Sequence, residues 1–302
     1  MLNFKLSSGK KARPEFMTLF GVDGVGKTSF AASAPKPVVI DIEKGSSNID
    51  TVRIDEGLDS FSDVIQALNY VSNQDFETIV IDSLDRLETL TEKQVCKEKG
   101  KKSIEDFGYG AGHKFVQDKW EKELIPLLKH LRETKNVILI AHDIVKTFKD
   151  PTMLDDYDRH EIKLNKKLAS LIREEVDAVL FMNHKVFVKK ESNNVTKGKG
   201  LHADQICLFT ERRPGHEGKN RYGLPYEIAL SKNPEEGWGV YAKHKGVSEP
   251  EDPESYRRQI MNLIPEVKNE EVRAKIEEAM SGDLTIGQLK TYLKRVEELI
   301  QA

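Results

Sequence analysis

The segment GVDGVGKTSF, residues 21–30, has the residue types and spacing of a phosphate-binding loop. It fits the pattern G-x-x-x-x-G-K-[ST] at Gly21, Gly26, Lys27 and Thr28. Glycines let the backbone curl so that its N–H groups face a phosphate, Lys27 reaches the β- and γ-phosphates, and Thr28 offers its hydroxyl to Mg²⁺. The residues predicted to bind the nucleotide are Gly21, Val22, Asp23, Gly24, Val25, Gly26, Lys27, Thr28 and Ser29.

A second acidic motif, TIVID at 78–82, supplies the metal partner that such a loop needs. Thr78 and three apolar residues carry Asp82 to the carboxyl end of a buried strand, where open α/β sheets place their ligands. We expect Asp82 to hold Mg²⁺ together with Thr28, directly or through water. The two motifs together predict a Mg²⁺-dependent nucleoside triphosphate site.

The stretch VVIDIEKG, residues 38–45, ends an apolar strand on an acid. Asp41 and Glu43 are two residues apart, so a strand that continues through both would point them to the same face. On the strand next after the loop helix, Glu43 would face the γ-phosphate and orient an attacking water. The alternative is that Glu43 caps a surface turn.

With this acid the chain resembles the RecA superfamily of ATPases, in which the equivalent strand ends in D-x-E and the glutamate activates water. The resemblance implies a γ-phosphate sensor at the end of NVILIAHD, where His142 is the candidate. It also implies that GKNRYGLP carries a K-x-R pair, Lys219 and Arg221, that enters a neighbouring protomer's ATP site. The alternatives are a structural histidine and a solvated basic turn.

The order of these motifs most resembles the bacteriophage ATP-binding proteins with a RecA-like core, a group that includes phage single-strand annealing proteins. The resemblance extends from residue 14 to about residue 230. It implies ATP and Mg²⁺ as cofactors, single-stranded DNA as a partner, a homo-oligomeric ring or filament, and annealing or strand exchange in phage recombination or replication. A single-strand binding protein is a further candidate partner. A helicase or translocase motor and a nucleotide-gated scaffold for replication proteins remain alternatives.

Two long inserts occupy the positions where RecA-like folds contact single-stranded DNA, residues 97–114 and 143–163. Both combine lysines, which suit phosphates, with aromatic residues, which suit base stacking. A solvated lid is the alternative for each insert, and acids in the second one would repel phosphates. The predicted DNA contacts are Lys101, Lys102, Phe107, Tyr109, Lys114, Lys146, Phe148 and Lys149.

Short apolar strands that alternate with helical segments must position these residues. The predicted strands are 16–20, 38–42, 78–82, 136–141 and 178–182, and the predicted helices are 60–73, 84–99, 114–133 and 164–175. Nearly continuous apolar strands predict a mostly parallel sheet flanked by helices, an α/β RecA-like P-loop core. A β-hairpin extension follows residue 182. We expect a core at 1–249 and a small helical appendage at 250–302.

Composition narrows the class of protein further. The chain has 302 residues and a net charge of -3, and mean hydropathy is -0.53. From residue 250 onward there are 11 acidic and eight basic residues, so the rest of the chain is neutral and nucleic acid would be held by local patches. No apolar run approaches a membrane span and no signal peptide is visible, which predicts a cytoplasmic protein, in the host cytoplasm if it is phage-encoded. Cys96 and Cys207 lack partners at metal-ligand spacing, so they are interpreted as buried thiols.

Overall fold

The fold is built around one sheet, seen in a computed structural model that describes residues 13–149, 156–190, 198–231, 233 and 236–245. In the C-terminal part it describes residues 257, 260, 261, 263–267, 269–280, 282, 284 and 286–301. The described strands are β1 (Phe16–Gly21), β2 (Pro37–Asp41), β3 (Val52–Ile54), β4 (Thr78–Asp82), β5 (Asn136–Phe148), β6 (Tyr157–Ile162), β7 (Ala178–Lys190), β8 (Gly198–Phe209), β9 (Lys219–Asn220) and β10 (Glu227–Ala229). Their order is β10-β8-β7-β1-β5-β4-β2-β3, with β6 beside β5 and β9 beside β7.

Helices cover both faces of this sheet. They are α1 (Lys27–Ala32), α2 (Phe61–Ser72), α3 (Leu84–Glu98), α4 (Ala111–Lys119), α5 (Ile125–Leu131), α6 (Lys166–Glu175) and α7 (Gly237–His244). The strands from β7 to β3 pair in parallel, whereas β6, β8, β9 and β10 pair antiparallel with their neighbours. The architecture is the predicted α/β RecA-like P-loop core.

The continuous apolar run of β1 reflects burial on both sides of the sheet. Phe16 and Phe20 point into the core formed with α2 to α6, whereas Met17 and Leu19 point into the opposite core. All four side chains are at most 1% exposed. A strand between two helical layers needs apolar residues at odd and even positions alike, because successive side chains alternate between faces.

The register of the parallel strands brings their carboxyl ends to one edge. Gly21 at the end of β1 lies opposite His142 in β5, and Asp82 at the end of β4 lies opposite Ile140. β5 therefore separates the strand that carries the phosphate loop from the strand that carries Asp82. The motifs predicted to act together meet at this edge.

The insert at 143–163, expected to be a loop, is mostly a β-hairpin. β5 continues to Phe148 and pairs antiparallel with β6 from Asp143↔Ile162 to Phe148↔Tyr157. Polar and apolar residues do not alternate regularly enough in this insert to predict strands from the sequence. Residues 150–155 lie outside the described part of the chain.

The hairpin predicted after residue 182 is confirmed by the antiparallel pairing of β7 with β8, from Phe181↔Phe209 to Lys190↔Gly198. Its predicted turn lies largely outside the described residues. The predicted helix at 114–133 is present as three pieces, α4, a π-helical turn at Trp120–Leu124, and α5.

The chain divides into two compact units, Met1–Lys245 and the C-terminal Gly246–Ala302. The described helices of the C-terminal unit are α8 (Glu270–Met280) and α9 (Ile286–Gln301), and its buried side chains include Ile276, Leu289 and Val296. The predicted boundary at 249/250 lies among residues outside the description. Among the described residues, no helix has both the length and the apolar composition to cross a bilayer.

Gly21 is the point at which β1 meets β7 most closely. A Cβ built on Gly21 would lie 2.0 Å from the carbonyl oxygen of Met182 and 3.0 Å from its carbonyl carbon. These are backbone atoms in a paired strand, so they cannot move aside without disturbing the sheet. Glycine is required here for close packing as well as for the loop.

We expect Gly21→Ala to destabilise the core by about 1–3 kcal/mol, the usual cost of overpacking. The matched control is Gly45→Ala, because nothing lies within 4 Å of a Cβ built there. Chemical denaturation of both variants tests the expectation. Equal stability of the two variants would contradict the close contact with Met182.

Glu88 links α3 to the start of α6. Its two carboxylate oxygens accept the backbone N–H of Asn165 at 3.1 and 3.2 Å. Burial raises the pKa of Glu88 to about 7, and the neighbouring acids Glu92 and Asp85 add to the shift. Because the folded pKa exceeds the ordinary value of 4.5, the unfolded chain loses this proton first as pH rises.

Glu88 should therefore reduce stability progressively between about pH 4.5 and pH 7. We expect Glu88→Gln to raise the unfolding temperature at pH 8 and to change it little near pH 4, where both states are protonated. The exposed Glu56→Gln is the control. Thermal unfolding across this pH range checks the expectation, and a stabilisation independent of pH would refute the charge as its cause.

Candidate functional site

The phosphate loop connects β1 to α1 at the carboxyl edge of the sheet. Gly24 and Gly26 have φ of 72° and 97°, a region that residues with a Cβ rarely adopt. Gly26 precedes the first helical residue, Lys27, and has no side chain that would cover the backbone N–H groups there. The predicted loop is present with an open, glycine-lined backbone.

Lys27 lies folded over the beginning of this loop. Its Nζ donates to the carbonyl oxygens of Gly21 at 2.8 Å and Val22 at 2.9 Å. Burial lowers the pKa of Lys27, although the nearby carboxylates of Asp23 and Asp82 oppose the shift. The ammonium group is therefore held beside the loop, where phosphate oxygens can replace the carbonyl groups as its partners.

Thr28 and Asp82 form the predicted metal pair. The Thr28 hydroxyl donates to Asp82 Oδ2 at 2.6 Å, although the two residues come from α1 and β4. Burial raises the pKa of Asp82 to about 6, partly offset by the hydrogen bond from Thr28. A hydroxyl and a buried carboxylate are the oxygen donors that Mg²⁺ prefers, and a cation there would favour the ionised carboxylate. The residues present fit Mg²⁺.

Glu43 reaches the cleft by a different route from the predicted one. β2 ends at Asp41, whose carboxylate accepts the N–H groups of Gly45 at 3.1 Å and Ser46 at 2.9 Å, and the Ser46 hydroxyl at 2.6 Å. The expectation that Asp41 and Glu43 share a strand face is wrong, because Asp41 closes the turn after the strand. The turn itself directs Glu43 toward Ser83, whose hydroxyl lies 2.6 Å from Glu43 Oε1.

His142 stands beside both the loop and Glu43. Its Nδ1 lies 3.5 Å from Glu43 Oε1, and its Nε2 lies 3.6 Å from Asp23 Oδ1 in the phosphate loop. The hydrogen bond with Asp85 raises the pKa of His142, against the effect of burial. A protonated ring nitrogen at this edge can donate to an anion that arrives at the loop.

Asp85 and Ser83 complete this group, and sequence reasoning did not single them out. Asp85 accepts the backbone N–H of His142 at 3.2 Å and lies 3.0 Å from its Nδ1. Burial raises the pKa of Asp85, but hydrogen bonds from His142 and Ser83 outweigh it and bring the pKa to about 2. The only sequence signal was the run DSLD directly after the strand.

A cleft of about 650 Å³ opens beside these residues. It is bounded by Asp23, Glu43 and His142 near the loop and extends along one face of α3, past Glu88 and Glu92. The cleft therefore adjoins the position that the terminal phosphate of a bound nucleotide would take. Glu43, Asp85 and His142 also have potential metal-ligand atoms within 4.8 Å of one another, so their spacing is compatible with a metal ion.

Lys219 and Arg221 lie near the amino ends of the parallel strands, whereas the phosphate loop lies at their carboxyl ends. β9 pairs with the beginning of β7, with Ala178↔Asn220, whereas the phosphate loop meets β7 at Met182. The K-x-R spacing would project both side chains to one side if a single strand carried them, and this expectation is wrong because only Lys219–Asn220 is strand.

The two basic side chains have different partners. Lys219 Nζ donates to the carbonyl oxygens of Arg173 at 2.5 Å and Val176 at 2.6 Å, and so caps the end of α6. Arg221 Nη1 lies 3.4 Å from Asp177 Oδ1, and its side chain is 58% exposed. Lys219 is engaged within the chain, whereas Arg221 faces outward.

The first insert keeps part of its predicted surface. Lys101 and Lys102 are exposed, and Tyr109 is fully exposed on a backbone with φ of 47°. Phe107 instead packs against Phe115, with ring centroids 5.4 Å apart, and is partly buried. Lys114 pairs with an acid one helical turn away, Asp118, at 2.8 Å.

The second insert uses its predicted residues within the β5–β6 hairpin. The guanidinium carbon of Arg159 lies 4.0 Å from the Phe148 ring centroid, so this ring is covered on one side. Lys146 lies 3.4 Å from Glu161, and Lys149 lies 3.7 Å from Asp156. These contacts leave less of the hairpin for base stacking than the sequence indicated.

One comparison with known proteins identifies the family of the chain. A family model described as AAA domain matches residues 13–222. Among solved structures, the flagellar accessory protein FlaH from Methanocaldococcus jannaschii matches with 10% sequence identity and a TM-score of 0.34, over 72% of this chain and 85% of that chain. No curated protein matches the sequence. Because the matched segment spans more than half of the chain and includes the phosphate loop, Glu43, Asp82 and His142, the protein belongs to the AAA domain family of P-loop ATPases.

Proposed function

We propose that the chain hydrolyses ATP with Mg²⁺, binds single-stranded DNA, and promotes annealing or strand exchange as a homo-oligomer in bacteriophage recombination or replication. One observation supports the chemistry above all others: Lys27, the Thr28–Asp82 pair and Glu43 meet at one edge of the sheet beside an open cleft. The choice of ATP as the nucleotide, of single-stranded DNA as the partner and of a role in phage is inferred from the order of the sequence motifs. A single-strand binding protein, which would hold the same DNA, is a further partner of this proposal.

Triphosphate binding begins at the loop. The β- and γ-phosphates replace the carbonyl groups of Gly21 and Val22 as partners of the Lys27 ammonium. Thr28 and Asp82 would hold Mg²⁺. Mg²⁺ held by these two residues would neutralise negative charge on the phosphate oxygens.

Hydrolysis requires a water in line with the γ-phosphate. Glu43 accepts a hydrogen bond from that water and orients it, and His142 donates to a γ-phosphate oxygen. The oxygen of water bonds to the γ-phosphorus while the bond to the β–γ bridging oxygen breaks, and the proton that the water loses passes to Glu43 and then to solvent. The products are ADP and inorganic phosphate. Release of phosphate removes the partner of His142, and the β5–β6 hairpin begins at the next residue, Asp143.

A second protomer completes the site in this proposal. Arg221 lies at the sheet edge opposite the phosphate loop of its own chain, so its exposed guanidinium group suits the nucleotide of a neighbour. Lys219 holds the end of α6 and positions the segment that carries Arg221. The proposed role in trans therefore narrows from the pair to Arg221 alone.

Glu43→Gln should reduce ATP turnover by about 10²–10⁴-fold, the usual contribution of a positioned base. Arg221→Ala should also reduce turnover, and an equal mixture of the two variants should regain activity, because some interfaces then contain Glu43 and Arg221 together. Phosphate release measures turnover, and Glu56→Gln serves as the control. A mixture no more active than its two components would exclude a site shared between protomers, and full activity of Glu43→Gln would exclude its role.

Exposed side chains of the first insert support the proposal that this insert binds single-stranded DNA. Tyr109 offers an uncovered ring for stacking on a base, and the lysines at 101 and 102 can contact phosphates. Lys99 lies 5.2 Å from the ring centroid of Phe115, which is 38% exposed. Aromatic and basic side chains thus alternate over a short stretch, as single-strand binding requires.

The double variant Lys101→Gln, Lys102→Gln should weaken binding of a labelled single-stranded oligonucleotide and reduce its salt slope by about 1.4, since each lost phosphate contact removes about 0.7. Tyr109→Ala should weaken binding about tenfold with the salt slope unchanged, because stacking is not ionic. Fluorescence anisotropy with and without ATP measures both effects. The control is Lys122→Gln, Lys129→Gln, which removes the same charge elsewhere.

The same experiment separates the alternatives. Absence of oligonucleotide binding at low salt, with and without ATP, would contradict the annealing proposal and leave the nucleotide-gated scaffold. ATP-dependent unwinding of a duplex, assayed in parallel, would instead indicate a helicase or translocase. Annealing of complementary strands without unwinding is the result expected here.

A further inference from the structure

The carboxylate of Asp85 connects the two cleft residues to which the proposed reaction gives roles. Its oxygens lie 3.0 and 3.1 Å from His142 Nδ1, and it accepts the backbone N–H of the same histidine at 3.2 Å. On the other side, the Ser83 hydroxyl lies 2.9 Å from Asp85 Oδ1 and 2.6 Å from Glu43 Oε1. Asp85 therefore contacts His142 directly and Glu43 through one hydroxyl.

These contacts fix the orientation of the His142 ring. With Nδ1–H directed at Asp85, Nε2 is left facing the phosphate loop, 3.6 Å from Asp23 Oδ1. Because Gly21 and His142 are paired in the sheet register, the ring stands level with the start of the loop. A γ-phosphate at the loop would meet Nε2 rather than Nδ1.

The negative charge of Asp85 also favours donation from His142 Nε2 to a phosphate. Asp85 hydrogen-bonds the imidazole and raises the pKa of His142, which favours the doubly protonated ring, in which Nδ1–H is directed at Asp85 and Nε2–H is left to donate. Asp23 is 89% exposed, so its contact with Nε2 is a weak surface ion pair that a phosphate can replace.

A purely helical role for Asp85 is less consistent with these contacts. An acid in the first turn of a helix often accepts the free N–H groups of that turn. Asp85 lies in the first turn of α3, yet its hydrogen bonds go to His142 on β5 and to the side chain of Ser83. The side chain thus connects α3 to the sensor strand.

We propose that Asp85 is a positioning residue that holds His142 toward the γ-phosphate and thereby sets the preference of the site for a triphosphate over a diphosphate. This inference rests on the proposed function, because it presupposes that a nucleotide occupies the loop. A diphosphate has no terminal group within reach of His142, so its affinity does not depend on Asp85. The Ser83 hydroxyl lies between Asp85 and Glu43, so it links the position of Asp85 to that of Glu43.

The test is calorimetric titration of Asp85→Asn with AMP-PNP and, separately, with ADP, both with Mg²⁺. Asparagine keeps the shape and one oxygen for the backbone N–H of His142 but removes the charge. We expect affinity for AMP-PNP to fall about tenfold, the effect of losing one charge-assisted hydrogen bond, while affinity for ADP changes less than about twofold. Asp59→Asn, at an exposed acid, is the matched control.

His142→Ala should reproduce this selective loss, and the double variant should lose no more than His142→Ala alone, because Asp85 acts through the histidine. Additive losses, or an unchanged ratio of affinities in Asp85→Asn while His142→Ala changes it, would overturn the inference and leave the proposed ATPase intact. Failure of the wild-type chain to bind either nucleotide would instead overturn the proposed function, and this inference with it.

A measurement on the wild-type chain avoids dependence on any variant's folding. In ¹⁵N-histidine NMR, exchange of ADP for AMP-PNP should shift the Nε2 resonance of His142 and leave its Nδ1 resonance in place. A shift of Nδ1 with Nε2 unchanged would overturn the inference, because it would mean that the ring faces the phosphate with its other nitrogen.

Discussion

The parallel register of β1, β5 and β4 is the constraint on which the site depends. It sets Gly21 level with His142 and places Asp82 opposite Ile140, so that three chain segments far apart in sequence end at one edge. A slip of one residue would turn every side chain of a strand to the other face, and both faces are buried, so the register is strongly specified. The apolar strands thus fix the heights at which the polar residues appear. The hydrogen bond from Thr28 to Asp82 then joins the loop helix to β4 across the intervening strand.

The surroundings of two carboxylates at this edge shift their pKa values in opposite directions. Asp82 is buried with one hydroxyl partner, and its pKa rises to about 6. Asp85, three residues later, accepts several hydrogen bonds from His142 and Ser83, and its pKa falls to about 2. A metal cation would stabilise the ionised form of Asp82, whereas hydrogen bonds within the chain already stabilise that of Asp85. In the proposed function, this difference would separate a metal-binding side of the site from a side that contacts the terminal phosphate.

How much of this could be predicted from sequence depends on how local each determinant is. The phosphate loop and β4 were predictable, since glycine spacing and an apolar run that ends in Asp82 are contiguous signals. The direction of Glu43 was not, because the turn after β2 is closed by hydrogen bonds of Asp41 to residues beyond it. Asp85 was missed since an acid in the first turn of a helix is ordinary, and its partner His142 is 57 residues away. Likewise, the role of Lys219 as a cap of α6 depends on β9 pairing with the start of β7.

The proposed function depends most directly on Thr28 and Asp82, which would bind the Mg²⁺ that accompanies a triphosphate at the loop. The most direct measurement is the affinity for AMP-PNP with Mg²⁺ and with EDTA, in the wild-type chain and in Asp82→Asn. The account predicts that Mg²⁺ strengthens binding to the wild-type chain and that Asp82→Asn loses this increase while it still binds the metal-free nucleotide. An equal effect of Mg²⁺ on both proteins would show that the metal is held elsewhere and would contradict the account.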